Sequence, residues 1–162
     1  MLAADLLNVP RKELARLLRE GHPIDPQDLD DRQYKGTSLG LPAWVDALVW
    51  KTFVKTFHRD PDTGGLRGWN VRLEQDGLDA PTRPMMTRKG VPKTFGHFSV
   101  IEYDGPGLLI KYKANPLRDP IVALNAGSAD LLLGVSYLAL GFRVPTPSYF
   151  SLEADGPLQY VP

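Results

Sequence analysis

Three histidines, His22, His58 and His97, are the side chains of this sequence whose ordinary pKa lies near neutral pH. They lie far apart and fall in three different kinds of predicted element, so their spacing does not indicate a metal site. His97 is the one on a predicted strand, where it could act as a general acid or base if its face lines a pocket. A hydrogen-bonded histidine in the wall is the favoured interpretation.

The sequence favours neither a hydrolase triad nor a phosphate-binding loop. It contains no cysteine, which excludes thiolate chemistry and cysteine-ligated metals. No histidine has an evident partner for a serine nucleophile, and no glycine-rich stretch ends in the Lys-Ser/Thr pair of a phosphate loop. We therefore predict no metal, no cofactor and no catalytic residue. In the alternative, a small isomerase or cyclase acting on an apolar substrate, the polar groups would be His97, Asn70 and Tyr112.

Aromatic side chains dominate the candidate ligand-binding set. They would first of all form a core, but a barrel of about eight strands can keep an interior wide enough for one small ligand. A pocket that combines aromatic rings with a few polar groups suits an apolar ligand with a polar head. The predicted lining residues are Trp50, Trp69, Phe98, Tyr112, Tyr137 and Tyr149.

Residues 80–93 form a second candidate binding feature, a long irregular segment with basic side chains, two adjacent methionines and no acid. Long loops of compact barrels are often binding lids. The methionines could close over an apolar tail, while the bases bind an anionic head through charge-assisted hydrogen bonds. The competing interpretation is an ordinary solvated excursion, which is favoured because surface bases need no partner. The residues of this predicted lid are Arg83, Met85, Met86, Arg88 and Lys89.

The elements that must position these residues begin with two predicted helices. Leucines repeat at the i, i+3, i+4 spacing of an amphipathic helix within residues 2–20. Residues 42–57 are apolar on nearly every side of a helical projection, which predicts a buried helix that contains Trp50. This helix would cover or plug a β-structure.

From residue 66 onward, apolar and polar side chains alternate with the period of two that is typical of strands. The alternation is clearest in residues 66–75, 94–103 and 108–114, and an almost wholly apolar stretch over 129–140 favours a strand buried on both faces. Fifteen glycines and fifteen prolines indicate many turns. Six or seven such strands predict an antiparallel barrel, which leaves no exposed sheet edge.

Length and charge restrict the class of protein. The 162 residues fit one domain, 1–162, with a helical part over 1–57 and a barrel part over 66–154. Nineteen basic and nineteen acidic residues give a net charge of zero, which offers no attraction to nucleic acid. No apolar run is long enough for a transmembrane segment or a signal peptide. We expect a cytoplasmic protein, and the sequence leaves a homodimer open.

Several short blocks occur in an order that resembles one bacterial family. Tyr34-Lys35-Gly36 corresponds to the second half of a Gly-x-Trp-x-Gly motif, with Arg32 at the first glycine and Tyr34 at the tryptophan. Trp50 corresponds to the tryptophan of an amphipathic helix, and Tyr149-Phe150-Ser151-Leu152 to a Tyr-Phe-x-Leu strand. Over about residues 34–152 the chain thus resembles the GXWXG-motif family of small bacterial proteins. The resemblance implies a lipocalin-like barrel and lipid binding.

The sequence therefore predicts an α+β, mostly β protein, a lipocalin-like antiparallel barrel against which N-terminal helices pack or which they plug. Its leading functional prediction is the binding of a hydrophobic small molecule or lipid with an anionic head. The alternatives are the isomerase or cyclase described above and a protein–protein interaction module.

Overall fold

The computed structural model describes residues 1–41 and 51–162. An α-helix, α1, covers Arg11–Arg19, and short 3-10 helices cover Ala3–Leu6 and Pro26–Leu29. The strands are β1 (Arg32–Leu39), β2 (Thr52–Arg59), β3 (Leu66–Arg72), β4 (Thr94–Ile101), β5 (Leu108–Tyr112), β6 (Leu117–Asn125), β7 (Ser128–Ala139) and β8 (Arg143–Pro157).

These strands form one closed antiparallel barrel in which every strand pairs with its neighbours along the chain. Closure is made by β1 and β8, where Gly36 lies opposite Leu152 and Tyr34 opposite Ala154. The prediction of a mostly β, antiparallel barrel with N-terminal helical structure is confirmed. The described residues contain eight strands, however, because β1 and β2 lie in the region that the sequence assigned to loops and helices.

The predicted helix over residues 42–57 is wrong over 52–57, which belong to β2. Its first part, 42–50, lies outside the described residues. A helix was predicted because both sides of this segment are apolar. In the barrel, Phe57 packs in the interior while Val54 lies in a separate buried cluster. A strand covered on both faces loses the alternation that identifies a half-buried strand.

Aromatic rings and glycines fill the barrel interior together. Edge-to-face contacts connect Tyr34 to Phe57 and Phe57 to Phe98, with ring centroids 5.5 and 5.7 Å apart. Gly68 leaves room for the Phe98 ring, because a Cβ at Gly68 would lie 2.5 Å from that ring and 2.0 Å from the Thr56 carbonyl oxygen. The interior is thus tightly packed around Phe57 and Phe98.

Helix α1 covers part of the outer wall. Leu14 is fully buried in a cluster with Val122, Leu131 and Leu133, which lie on β6 and β7. The helix predicted within residues 2–20 is confirmed over Arg11–Arg19. In the described parts of the chain, no helix is long and apolar enough to cross a membrane.

A third buried cluster lies apart from the interior one. It contains Trp69 with Val54, Val71 and Leu73, and Leu158 of the C-terminal segment packs against it. Trp69 was expected to share the interior with Phe98 and Tyr112, and this expectation is wrong. The alternation along β3 is real, but it points Asn70 into the barrel and Trp69 away from it, because the outer face of this strand is also covered.

Candidate functional site

A cavity of about 270 Å³ lies in the barrel beside a small buried polar cluster. Apolar side chains, including Leu41, Phe53 and Phe150, form much of its wall. Ser148, which also lines it, is exposed to solvent. The cavity therefore extends from the protein surface to side chains that are themselves buried.

Four side chains form the polar cluster, a continuous hydrogen-bonded group that we call the Lys55 network. Lys55 Nζ donates to Tyr112 Oη over 2.7 Å, and Tyr112 Oη donates to Asp119 Oδ2 over 2.8 Å. Ser136 Oγ donates to the other carboxylate oxygen, Asp119 Oδ1, over 2.7 Å. The ammonium and the carboxylate are 3.7 Å apart. All four residues line the cavity.

The barrel brings this network together from four strands. Lys55 comes from β2, Tyr112 from β5, Asp119 from β6 and Ser136 from β7. Asn70 of β3 lies opposite Lys55 in the strand register and also lines the cavity. Each side chain points inward because successive residues of a strand face opposite sides of the sheet.

Aromatic rings surround the ammonium group of Lys55. Its Nζ lies 5.0 Å from the ring centroid of Phe98, 5.2 Å from that of Tyr112 and 5.4 Å from that of Phe150. Rings at such distances attract a cation through their negative faces, and the attraction is stronger where water is excluded. The site is therefore built to hold a positive charge on this nitrogen out of water.

Burial changes the proton affinity of both Lys55 and Tyr112. Loss of hydration lowers the pKa of Lys55 to about 8, although the nearby Asp119 carboxylate acts in the opposite direction. Loss of hydration also raises the pKa of Tyr112 well above its usual value, and Asp119 adds to this effect. Near neutral pH, Tyr112 keeps its proton as a hydrogen-bond donor, while a fraction of Lys55 is a neutral amine.

The structure brings some of the predicted site residues to the cavity. Tyr112, Tyr149 and Asn70 line it. Phe98 is fully buried next to it, with its ring centroid 5.7 Å from that of Tyr112. Trp50 lies outside the described residues.

Other predicted site residues lie elsewhere. Trp69 is in the outer cluster described above, and exposed His97 lies against it with ring centroids 6.1 Å apart. Burial and the positive charges of Lys113 and Arg67 lower the pKa of His97. Tyr137 stacks under the Arg143 guanidinium at 4.4 Å. None of these three is among the described residues that line the cavity.

The segment 80–93 runs along the barrel wall next to β3. Met85 N donates to Arg72 O over 2.9 Å, and Arg83 forms an exposed ion pair with Asp76 at 2.9 Å. Met86 is 52% exposed. The predicted lid residues, Arg83, Met85, Met86, Arg88 and Lys89, are absent from the described lining of the barrel cavity.

Sequence reasoning did not identify Lys55, Asp119 or Ser136. Lys55 lies in the segment that was predicted as a helix over 42–57. A usable signal was present, since Lys55 has Phe53 and Phe57 two residues away on either side. A charged residue on the apolar face of a strand is seldom buried without a partner. This pattern predicts a buried charge, but it does not identify Asp119 as the partner.

Nothing in the comparisons supplies a function. Neither protein-family models, nor curated proteins, nor solved structures gave a match to this chain. Among the described residues, no group of three or more His, Asp or Glu side chains could hold a metal ion. The fold and the site together define a closed eight-stranded β-barrel with a cavity that ends at a buried lysine, tyrosine and aspartate.

Proposed function

We propose that the barrel binds one small, mostly apolar molecule whose single polar group reaches the Lys55 network. The observation that carries this proposal is the combination of an apolar wall with a polar cluster at one place in the cavity. Ligand sites of proteins are commonly built in this way, because the wall provides affinity and the few polar groups orient the ligand.

The size of the cavity favours a short ligand. Its volume of about 270 Å³ lies just below the range of about 300–1,000 Å³ that is typical of small-molecule sites. A molecule with one ring or a short chain fits such a space better than a lipid with two acyl chains. Lipid binding, in this proposal, would be limited to the shortest lipid-like molecules.

The charges of the network favour a neutral polar group on the ligand. Lys55 has three N–H donors, and Tyr112 accepts one of them. A ligand oxygen could accept another. The Asp119 carboxylate, 3.7 Å from the lysine nitrogen, already balances its charge and would repel a carboxylate ligand. A carbonyl or hydroxyl oxygen is therefore favoured over the anionic head that was predicted from residues 80–93.

A calorimetric titration with three ligands tests this proposal. Cinnamyl alcohol carries the neutral group, cinnamate carries the anion on the same skeleton, and palmitate represents a longer lipid. We expect saturable binding of cinnamyl alcohol and weaker binding of the other two. Lys55→Met should weaken the binding of the alcohol about tenfold, the effect of losing one hydrogen bond to a charged group. Lys111→Met, an exposed lysine of β5, is the matched control and should bind like the wild type.

Backbone chemical shifts would locate the ligand. We expect cinnamyl alcohol to shift the amide signals of Phe53, Tyr112 and Ser136. Shifts confined to residues 80–93 would support the predicted lid and overturn the proposed site. Absence of binding by all three ligands would contradict the proposal as a whole.

An isomerase or cyclase of the same shape is the second candidate, and the Lys55 network supports it. Tyr112 lies in the cavity wall with its proton retained, next to a carboxylate that accepts its hydrogen bond. Tyr112 and Asn70, two of the three polar groups of the sequence-based alternative, could contact a substrate oxygen there. Turnover of a bound ligand that Tyr112→Phe abolishes, with binding retained, would favour the enzyme. Membership of the GXWXG family and a cytoplasmic location stay predictions.

A further inference from the structure

We propose that Lys55 forms an imine with an aldehyde or ketone ligand inside the cavity. The inference rests on the proposed function, because the carbonyl compound must first bind between the aromatic walls. It goes beyond binding by assigning the ligand a reactive carbonyl group and by assigning Lys55 the role of nucleophile.

The position of Lys55 meets the first requirement of this reaction, a nitrogen that faces the ligand. Lys55 lines the cavity although its side chain is only 2% exposed. Its Nζ is held by Tyr112 at 2.7 Å rather than by direct contact with the carboxylate, which is 3.7 Å away. A lysine in a desolvated apolar pocket is the usual arrangement for imine formation with a carbonyl group.

The protonation of Lys55 meets the second requirement, a neutral amine. With a pKa of about 8, on the order of a tenth of the Lys55 side chains lack the extra proton at pH 7. An ordinary lysine, with a pKa of about 10.4, is neutral in fewer than about one molecule in a thousand at this pH. At pH 7 the neutral amine of Lys55 is therefore at least about a hundredfold more abundant than that of an ordinary lysine.

The neighbours of Lys55 meet the third requirement, proton transfer to and from the carbonyl oxygen. Tyr112 Oη lies 2.7 Å from the lysine nitrogen, and its hydroxyl is hydrogen-bonded to Asp119. A carbonyl carbon in contact with Nζ would place its oxygen within reach of the Tyr112 hydroxyl. The aromatic rings 5.0–5.4 Å from Nζ would then stabilise a protonated imine in the same place.

The reaction is a condensation with no oxidant or reductant. The neutral Lys55 amine attacks the carbonyl carbon, so that a carbon–nitrogen bond forms and the carbonyl oxygen takes a proton by way of Tyr112. The nitrogen gives one proton back to Tyr112 and its second proton to the resulting hydroxyl group, which leaves as water when the carbon–oxygen bond breaks and the carbon–nitrogen double bond forms. The products are one imine and one water molecule, so that the atoms and the charge of the amine and the carbonyl compound are conserved.

Reductive trapping tests this assignment in the wild-type protein. Cinnamaldehyde is added at pH 7 in the presence of cyanoborohydride, which reduces an imine to a stable amine. We expect one lysine adduct per chain, with a mass increase equal to that of the aldehyde less one oxygen atom. Peptide mapping should place it on Lys55, with at least tenfold lower labelling of the exposed Lys111. Labelling that is equal on both lysines would overturn the proposal.

Variants distinguish the role of Lys55 as the nucleophile from the role of Tyr112 in proton transfer. Lys55→Met should lose the adduct, whereas Lys111→Met should keep it. Tyr112→Phe should form it at least about tenfold more slowly, because general acid–base catalysis contributes about 10²–10⁴-fold. If Lys55→Met does not fold, the mapped position of the adduct in the wild type identifies the nucleophile instead. An adduct rate in Tyr112→Phe equal to that of the wild type would overturn the role of Tyr112.

Cinnamyl alcohol separates the failure of this inference from the failure of the proposed function. If the alcohol binds and the aldehyde leaves no adduct on Lys55, the imine is overturned and the binding site stands. If neither binds nor reacts, both proposals are overturned. The labelling rate should also rise as the pH increases from 6 to 8 and level off above it, following the loss of the proton from Lys55.

Discussion

Lys55 and Asp119 are charged residues that are costly to bury, since their side chains are each 2% exposed. Taking two charges out of water costs several kcal/mol per ion, and their attraction offsets this only where the remaining polar atoms are hydrogen-bonded. Tyr112 and Ser136 provide those bonds to the carboxylate. A pair retained at such a cost, in the wall of a cavity, is more readily explained by ligand chemistry than by stability.

The coupling between these two charges can be measured with a double-mutant cycle. Lys55→Met should lower the free energy of unfolding by about 3–5 kcal/mol, because it leaves the buried carboxylate without its counter-ion. Asp119→Asn should lower the free energy of unfolding by a similar amount, because it leaves the buried ammonium group without its counter-ion. The double variant, which contains neither charge, should be more stable than either single variant. Chemical denaturation of the four proteins checks this, and additive effects of the two substitutions would show that the charges do not interact.

The lowered pKa of Lys55 also predicts a pH dependence of stability. The folded pKa is about 8, below the value of about 10.4 in an unfolded chain. Between these values the unfolded chain binds the extra proton, so the free energy of unfolding should rise with pH, by up to about 1.4 kcal/mol per unit. Below pH 8 both states are protonated and the cost of burying the charge is constant. Tyr112 acts in the opposite direction above about pH 10, because unfolding lets it ionise.

Urea denaturation at pH 7, 8, 9 and 10 measures this effect. The double variant Lys55→Met/Asp119→Asn is the reference, because it retains Tyr112 and every exposed group. We expect the stability of the wild type, relative to this reference, to be constant from pH 7 to 8 and to rise from 8 to 10. A difference that is independent of pH would show that Lys55 has an ordinary pKa.

At the scale of elements, strands that are covered on both faces explain most of the differences between prediction and structure. β2 carries Phe57 into the interior and Val54 into an outer cluster, so apolar residues occur on both of its faces. β1 was not recognised as a strand for a different reason. It contains several polar residues and a glycine, Gly36, that fits against the Phe53 ring. Neither strand shows the simple alternation by which β3, β4 and β5 were recognised.

Gly68 of β3 tests whether the interior packing is as tight as the structure indicates. Gly68→Ala places a Cβ 2.0 Å from the Thr56 carbonyl oxygen and 2.5 Å from the Phe98 ring, so either β2 or the ring must move. We expect a loss of about 1–3 kcal/mol, as is usual for overpacked cores. Gly65→Ala, whose nearest neighbour would be the Thr63 hydroxyl at 3.4 Å, is the control and should change stability by less than about 0.5 kcal/mol. Thermal denaturation of both variants checks this, and equal melting temperatures would contradict it.

At the scale of the whole molecule, closure of the barrel gives β1 and β8 a hydrogen-bonded neighbour on each side. In an open sheet these two strands would be edges, with a row of unpaired backbone groups. Their pairing joins residues that are more than a hundred positions apart, such as Gly36 and Leu152. The stability of the first strand therefore depends on the last.

Hydrogen exchange tests this dependence. Amides of β1 that pair with β8 should exchange as slowly as those of β6 and β7, since opening any of these strands requires opening of the barrel. Ala126 and Gly127, in the turn between β6 and β7, are the internal control and should exchange within the dead time, because they are exposed. Protection of β6 and β7 that far exceeds that of β1 would indicate a barrel that opens at the β1–β8 seam.

The sequence by itself determined the properties that depend on neighbouring residues. Alternation placed β3, β4 and β5, leucine spacing indicated α1, and the absence of cysteine excluded thiol chemistry. Only the tertiary structure decided which face of each strand is the interior, because a side chain is buried by whatever covers it. For this reason Trp69, which was predicted to line the cavity, lies in an outer cluster, whereas Asn70 faces the cavity. The tertiary structure likewise decided that Lys55, Tyr112, Asp119 and Ser136 form one site. These residues come from four different strands, and the closed barrel brings together polar atoms that no local spacing connects.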